Sequence, residues 1–214
     1  MIPSEWNRVI IKPIPKPGKD RQIPKNSRGI NLISTVTKLY TGILNNRLMS
    51  FLEGNNKLND EQSAYRKGRS CVDNLFVLTS LIRDRKRQKR DTFVCFFLDF
   101  SAAFDNIRHS LLLTKEEKYG INGNFHKYCV LPCTVRLILM DTSLMGCSIR
   151  QGDVVTPTIF CLFIDDLINE IKSLNYVMID MEGVDSSILV FADDIALVAS
   201  DMEKLQEVIN KLEH

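Results

Sequence analysis

No apolar stretch in this chain of 214 residues reaches the length needed to cross a bilayer, so a membrane-spanning helix is not expected. The opening residues Met1-Ile2-Pro3-Ser4-Glu5-Trp6 lack the build of a secretory signal. An intracellular protein, nuclear or cytoplasmic, follows as the expectation. The six cysteines, at 71, 95, 129, 133, 147 and 161, are scattered, which fits free thiols in a reducing compartment better than a disulfide framework. His126, Cys129 and Cys133 stand close together, but no fourth ligand is near and Pro132 interrupts them, so structural zinc is disfavoured. Internal repeats, low-complexity tracts and flexible linkers are also lacking. So is net charge: a balance of +2 is low for a chain that holds nucleic acid by charge alone.

What is present is enough apolar material for a real core, 44% hydrophobic against 25% charged, in one large domain or two intimate subdomains. The charge is unevenly spread. Between Arg8 and Arg28 seven basic residues, at 8, 12, 16, 19, 21, 25 and 28, face the single acid Asp20. Pro13, Pro15, Pro17, Gly18 and Pro24 forbid a helix there, so the segment reads as an extended hairpin or loop whose cations face phosphate. A second basic block, Arg83 to Arg90, closes a helix that begins near Val72. The helix dipole favours cations at that end, and a solvated face is the plainer reading beside template contact.

Periodicity predicts further helices over about Val36–Leu52, Pro157–Leu174 and from Glu203 onward, with a strand ending at Asp99 and a less regular stretch from there to Cys147. Two apolar runs, Ile188–Phe191 and Ile195–Ala199, flank Asp193-Asp194 in the pattern of a hairpin with two carboxylates at its tip. Adjacent carboxylates between buried strands repel each other unless a cation neutralises them, and hard oxygen ligands select an ion such as Mg²⁺. Asp99, at the end of the apolar run Phe93–Leu98, supplies a third carboxylate. An Asp-Asp pair in a turn can equally be a plain turn element. Asp165-Asp166, embedded in an amphipathic helix pattern, is read as a pair at the surface or domain edge.

Three strings in order, Asp99-Phe100-Ser101-Ala102-Ala103-Phe104-Asp105, then Arg150-Gln151-Gly152-Asp153 with Pro157, then Phe191-Ala192-Asp193-Asp194, resemble polymerase motifs of reverse transcriptases. Within that group the chain most resembles the non-LTR retrotransposon (LINE-type) branch. Upstream, Lys16-Pro17-Gly18-Lys19-Asp20, Ser27–Ser34 and Gln62–Ser70 with Asp73 are similar to the family's fingers segments, so the likeness runs almost end to end. The resemblance implies an α+β fold, the fingers (about 1–92) and palm (about 93–214) of a right-hand polymerase, with an antiparallel palm sheet backed by helices and the thumb absent. It implies RNA-directed DNA synthesis on an RNA template, with a DNA primer and deoxynucleotide triphosphates. Two Mg²⁺ ions, with Mn²⁺ as a substitute, would be held by Asp99, Asp193, Asp194 and the carbonyl of Phe100. Asp194 is the weakest of these assignments, because neighbouring strand residues point to opposite sides. Phe104 would lie under the incoming sugar, where a ring clashes with a 2′-hydroxyl; core filling is the alternative. Gln151 and Gly152 would contact the nucleotide, and Arg28 and Lys19 the triphosphate. Asp153 is open between an N-cap and a substrate role.

The chain departs from the family pattern at Ala102, at Gly29 and at Val154-Val155-Thr156, and its interval from Asp105 to Arg150 is short. A polymerase lacking its thumb would hold primer poorly, so the isolated chain is expected to be a weak enzyme. Beside the polymerase stands a second hypothesis, a catalytically silent fragment that keeps the fold and binds nucleic acid. A two-metal nuclease is disfavoured, since it leaves Phe104 and Gln151-Gly152 unexplained.

Overall fold

The computed structural model describes residues 8–18, 20, 23, 26–88, 94–100, 107, 109–121, 133–137, 143–146, 152–174, 180–181, 184–185 and 187–212, with backbone alone at 8, 9, 28, 94, 99, 109, 110 and in the short strands between 133 and 146 and between 180 and 185. Contacts divide the chain into two compact units, Met1–Phe51 with Ala102–Ile159, and Leu52–Ser101 with Phe160–His214.

In the first unit the basic segment folds as the expected hairpin. Strands β1 (Arg8–Pro15) and β2 (Ser27–Leu32) pair antiparallel, from Ile10 opposite Leu32 to Pro15 opposite Ser27. On its other edge β1 pairs in parallel with β4 (Cys133–Leu137), but only over Arg8–Ile11. The pairing stops before Pro13 and Pro15, which have no N–H to give a ladder. Strand β5 (Ser143–Gly146) completes the sheet, ordered β2-β1-β4-β5. The stretch between Asp99 and Cys147 is therefore more regular than its sequence suggests: besides these two strands it contains helix α3 (His109–Lys118), with Leu112 buried. Short strands of mixed composition carry little periodic signal of their own, and tertiary pairing decides them. Helix α1 (Thr35–Gly54) follows β2, with Thr37, Thr41 and Leu48 buried.

The second unit is built on an antiparallel sheet ordered β3-β9-β8, with β3 Val94–Asp99, β8 Ile188–Phe191 and β9 Asp194–Ala199. A further two-stranded ribbon joins β6 (Asp180–Met181) to β7 (Val184–Asp185). Alternation sorts the sheet's residues. Ile195, Leu197 and Ala199 fall on one face, all buried, and Ala196 and Val198 fall on the other with Cys95. On that second face helix α2 (Cys71–Arg87) packs Val77, Leu78 and Leu81 against Cys95, Leu189, Ala196 and Val198. The start of α2 is set by Ser70, whose backbone N–H donates to Asp73 Oδ2 at 2.6 Å. Arg85, Lys86 and Arg87 occupy its last turn, where the dipole favours them. Helix α5 (Met202–Leu212) buries Leu205 and Val208, one turn apart, and lies against β9 and β3.

Helix α4 (Thr156–Ser173) carries the Asp165-Asp166 pair, and here the surface reading needs correction. Asp165 is buried, 2% exposed. Its Oδ1 accepts from the backbone N–H and the side-chain Nδ2 of Asn59, each at 2.9 Å, and its Oδ2 accepts from Asn169 Nδ2 at 3.1 Å. A carboxylate is tolerated there because these donors replace water. It pins the 59–66 segment to α4, helped by an ion pair of Lys172 with Glu61 at 2.7 Å. The same segment is held at its other end by Arg66. The guanidinium donates to both oxygens of Glu53, at 2.7 and 2.8 Å, and to the carbonyls of Asn59 and Gln62 at 2.7 and 3.2 Å. Among the described residues no helix is long and apolar enough to cross a membrane.

Glu53 gives the pair a pH signature. The hydrogen bond from Arg66 holds its carboxyl below the ordinary glutamate range, outweighing partial burial. The folded state then binds fewer protons than the unfolded one, so the contribution is complete above the unfolded value of about 4.3 and is lost as pH falls through the depressed folded value. Glu53→Gln should lower stability by about 1 to 2 kcal/mol at pH 7, the pair being partly exposed. Urea unfolding at a series of pH values should also show a shallower loss of stability on acidification in the variant than in the native chain.

Candidate active site

Strand β8 ends at Phe191 and β9 begins at Asp194, its cross-strand partner, so Ala192 and Asp193 alone make the turn. A two-residue hairpin needs a primed turn to match strand twist, and such turns demand positive φ at the first central residue. Ala192 provides it, with φ of +58°, and Asp193 is not in that region, the pattern of a type II′ turn. The expected hairpin with carboxylates at its tip is thus present.

The neighbouring strand brings in the third carboxylate. Six consecutive pairs join β3 to β9, and the last sets Asp99 directly opposite Asp194. Paired antiparallel positions share a face, with Cα atoms about 4.5 to 5.5 Å apart. The sheet therefore gathers Asp99, Asp193 and Asp194 at one end. It is Asp194, the member held least firmly on sequence grounds, that stands in register with Asp99, while Asp193 occupies the turn. The covering by α2 ends short of this corner: Phe97 on the same face is 68% exposed, Asp194 is exposed and Asp193 half-buried. Phe100 follows directly on β3 and is half-buried. Among the described residues no Lys or Arg forms an ion pair with Asp193 or Asp194. The side chain of Asp99 lies outside the described residues.

Tyr65 was not singled out by sequence and stands close by. It has a left-handed backbone, φ +58°, and is half exposed. Its hydroxyl is pushed above the ordinary tyrosine value, first by burial, with the negative charge of Asp193 adding to it. The Cys161 thiol is itself pushed up to about 12 by burial on α4, which leaves it inert. Gln62 and Asn74, neither given a role of its own by the sequence, bond directly to the β8–β9 hairpin. Their only sequence trace is their place in and just after the string Gln62–Ser70.

The remaining candidates belong to the first unit or fall outside the described residues. Arg28 lies on β2 opposite Ile14, with backbone alone described. Lys19, Phe104 and Gln151 lie outside the described residues, as do His126 and Cys129 of the zinc question. Gly152 has φ +110°, and a Cβ there would come within 3.0 Å of the carbonyl oxygen of Asn31. The close approach seen at this glycine is to the backbone at the end of β2. Asp153 is buried and is not the N-cap of α4: the Val155 carbonyl accepts the first helical bond, from Ile159.

The register thus sets the positions of Asp99, Asp193 and Asp194 together at one end of an antiparallel sheet backed by helices. Over residues 14–214 the chain matches the family described as reverse transcriptase (RNA-dependent DNA polymerase), and it belongs to that family. It is 30% identical over 206 residues to the probable RNA-directed DNA polymerase from transposon BS of Drosophila melanogaster, covering 93% of this chain and 22% of that protein. It is 27% identical over 205 residues to the retrovirus-related Pol polyprotein from type-1 retrotransposable element R2 of Popillia japonica, covering 92% and 28%. The chain thus spans about a quarter of the length of these curated relatives, which are non-LTR retrotransposon proteins. Among solved structures, telomerase from Candida albicans, in complex with a fragment of telomeric RNA, superposes with a TM-score of 0.66 at 13% identity, over 100% of this chain and 40% of that one. Apo telomerase from Candida tropicalis gives 0.67 at 13%, over 100% and 48%. The fold is the α+β fingers-and-palm fold of reverse transcriptases.

Gly152→Ala should be costly, since its side chain would meet backbone in a conformation that L-residues avoid. A loss of about 1 to 3 kcal/mol is expected in chemical denaturation, where an alanine at an unstrained position would be neutral or stabilising.

Proposed function

We propose that the chain is the polymerase domain of a retroelement protein and extends a DNA primer along an RNA template from deoxynucleotide triphosphates. The observation that carries this reading is the register of Asp99 with Asp194 beside Asp193 in the turn. On this reading about 1–92 form the fingers and about 93–214 the palm.

Asp99, Asp193, Asp194 and the carbonyl of Phe100 would hold two divalent ions. The donor set fits: it is all oxygen, which suits Mg²⁺ or Mn²⁺, and its two described carboxylates have no cationic partner among the described residues. Bound there, such ions supply neutralisation of charge at the attacking 3′-oxygen and at the departing pyrophosphate. The primer 3′-hydroxyl gives up its proton to water as its oxygen bonds to the α-phosphorus, and the bond from that phosphorus to the α,β-bridging oxygen breaks, releasing pyrophosphate. The protein's own share is positioning. Arg28 and Lys19 neutralise and orient the triphosphate, Gln151 and Gly152 border the nucleotide, and Phe104 lies under its sugar and excludes a 2′-hydroxyl. Membership of the family supports this reading.

Primer extension on a primed RNA template with Mg²⁺ and deoxynucleotides tests it. Weak, short extension is expected of this chain, and Asp193→Ala should abolish it. Absence of even single-nucleotide addition by a folded chain, with Mg²⁺ or Mn²⁺, would favour the silent-fragment reading. In the same assay Phe104→Ala should raise ribonucleotide incorporation and spare the deoxynucleotide reaction. Unchanged discrimination would return Phe104 to the core.

A further inference from the structure

The turn that carries Asp193 is not self-sufficient. At the first central position of a type II′ turn glycine is the favoured residue, and Ala192 at φ +58° carries a steric cost of about 1 to 2 kcal/mol. It is also buried, 5% exposed, so its N–H and C=O need partners other than water. Both find one side chain. Gln62 Oε1 accepts from the Ala192 N–H at 3.0 Å, and Gln62 Nε2 donates to the Ala192 carbonyl at a longer 3.5 Å. A carboxamide offers acceptor and donor side by side, so it meets this residue as a paired strand would. A second N–H, that of Ala64, converges on the same Oε1 at 3.0 Å, which identifies that atom as the oxygen.

Gln62 is itself fixed. It is 1% exposed and forms an isolated bridge with Val190 of β8, the Val190 N–H donating to the Glu61 carbonyl at 3.1 Å and the Ser63 N–H to the Val190 carbonyl at 3.0 Å. Asn74 of α2 donates to that same carbonyl at 3.0 Å and accepts from the Ser63 hydroxyl at 2.9 Å. The anchors described above, Asp165 on Asn59 and Arg66 on the Asn59 and Gln62 carbonyls, bracket the segment. A rigid strut thus ends in one carboxamide that grips the residue before Asp193.

We propose that Gln62 is a positioning residue for the carboxylate hairpin: by clamping Ala192 in its left-handed conformation it sets where Asp193 and Asp194 stand, and so how tightly a divalent cation is held. The proposal rests on the metal-site reading given under Proposed function. Gln62 does not touch substrate or metal. Its effect passes through the turn, as with partners that orient metal ligands elsewhere, whose loss costs about 10- to 100-fold in affinity.

The test is Mn²⁺ titration of the intact chain followed by electron paramagnetic resonance, on Gln62→Met, Gln62→Glu and Asp193→Ala, with thermal unfolding to confirm a native state at the titration temperature. Gln62→Met fills the space without the amide and should weaken Mn²⁺ binding about tenfold while still native. Gln62→Glu keeps an oxygen for the Ala64 and Ala192 N–H groups but loses the donor to the Ala192 carbonyl and sets a second acceptor against it, so it too should weaken Mn²⁺ binding about tenfold, although its added negative charge by itself would strengthen a cation site. That variant carries the test if Gln62→Met does not fold: native-like binding by a folded Gln62→Glu would overturn the proposal. Native-like binding by Gln62→Met, with binding lost in Asp193→Ala, would also overturn it. Unchanged binding in Asp193→Ala would instead overturn the metal-site reading, and the Gln62 proposal with it.

Discussion

The pairing of β3 with β9 is the constraint on which the second unit depends. Side chains alternate with a period of two, so a slip of one residue would turn Ile195, Leu197 and Ala199 out of the core and carry Asp194 to the opposite face from Asp99. Burial and chemistry are therefore specified by the same register. The apolar positions make any other pairing costly, and the aspartates are carried to one corner as a consequence. Helix α2 adds to this by packing Leu81 on Leu189 and Val198, which fixes which face is covered and where the covering stops.

The 59–66 segment shows a second principle, that irregular backbone can be as firmly held as a sheet if its polar groups are satisfied. It runs without a helix or strand of its own through a largely buried course, including Gln62, Ser63, Ala64 and Arg66. Asp165, Arg66, Asn74 and Lys172 supply the partners that a regular ladder would have supplied. Such a network is expensive to break at any one point, because each removed partner leaves a buried donor or acceptor without water.

Much of this was legible in the sequence, for physical reasons that differ from element to element. Helices α1, α2, α4 and α5 fall within a few residues of the periodic patterns around Val36–Leu52, Val72–Arg90, Pro157–Leu174 and Glu203 onward, because long amphipathic segments carry strong signals. The basic hairpin could be read from its prolines, and the Asp193 turn from two short apolar runs. Strands β4 and β5 could not, since four or five residues hold no period and β1, which joins β4 to the rest of the sheet, lies far away in sequence. Asp165 reads as a surface residue by its charge, yet it shares a helical stripe with Cys161, Ile164 and Ile168, all buried, and that spacing places it inward. Gln62 was legible only as the first member of the string Gln62–Ser70, since a side-chain bond to residue 192 has no local sequence signature.

The antiparallel partnership of Asp99 with Asp194 also has a cost in time. The two are about 95 residues apart, and β1 waits still longer for its parallel neighbour β4. At a ribosomal rate of about 5 to 20 residues per second, β3 would be exposed for roughly 5 to 20 seconds before β9 emerges to cover it. During that interval Phe96, Phe97 and Leu98 offer an apolar edge to any other strand within reach. For this chain, then, the crowded moment of folding comes late, and a chaperone that shields a short aromatic strand during synthesis would act on the very segment that ends in Asp99.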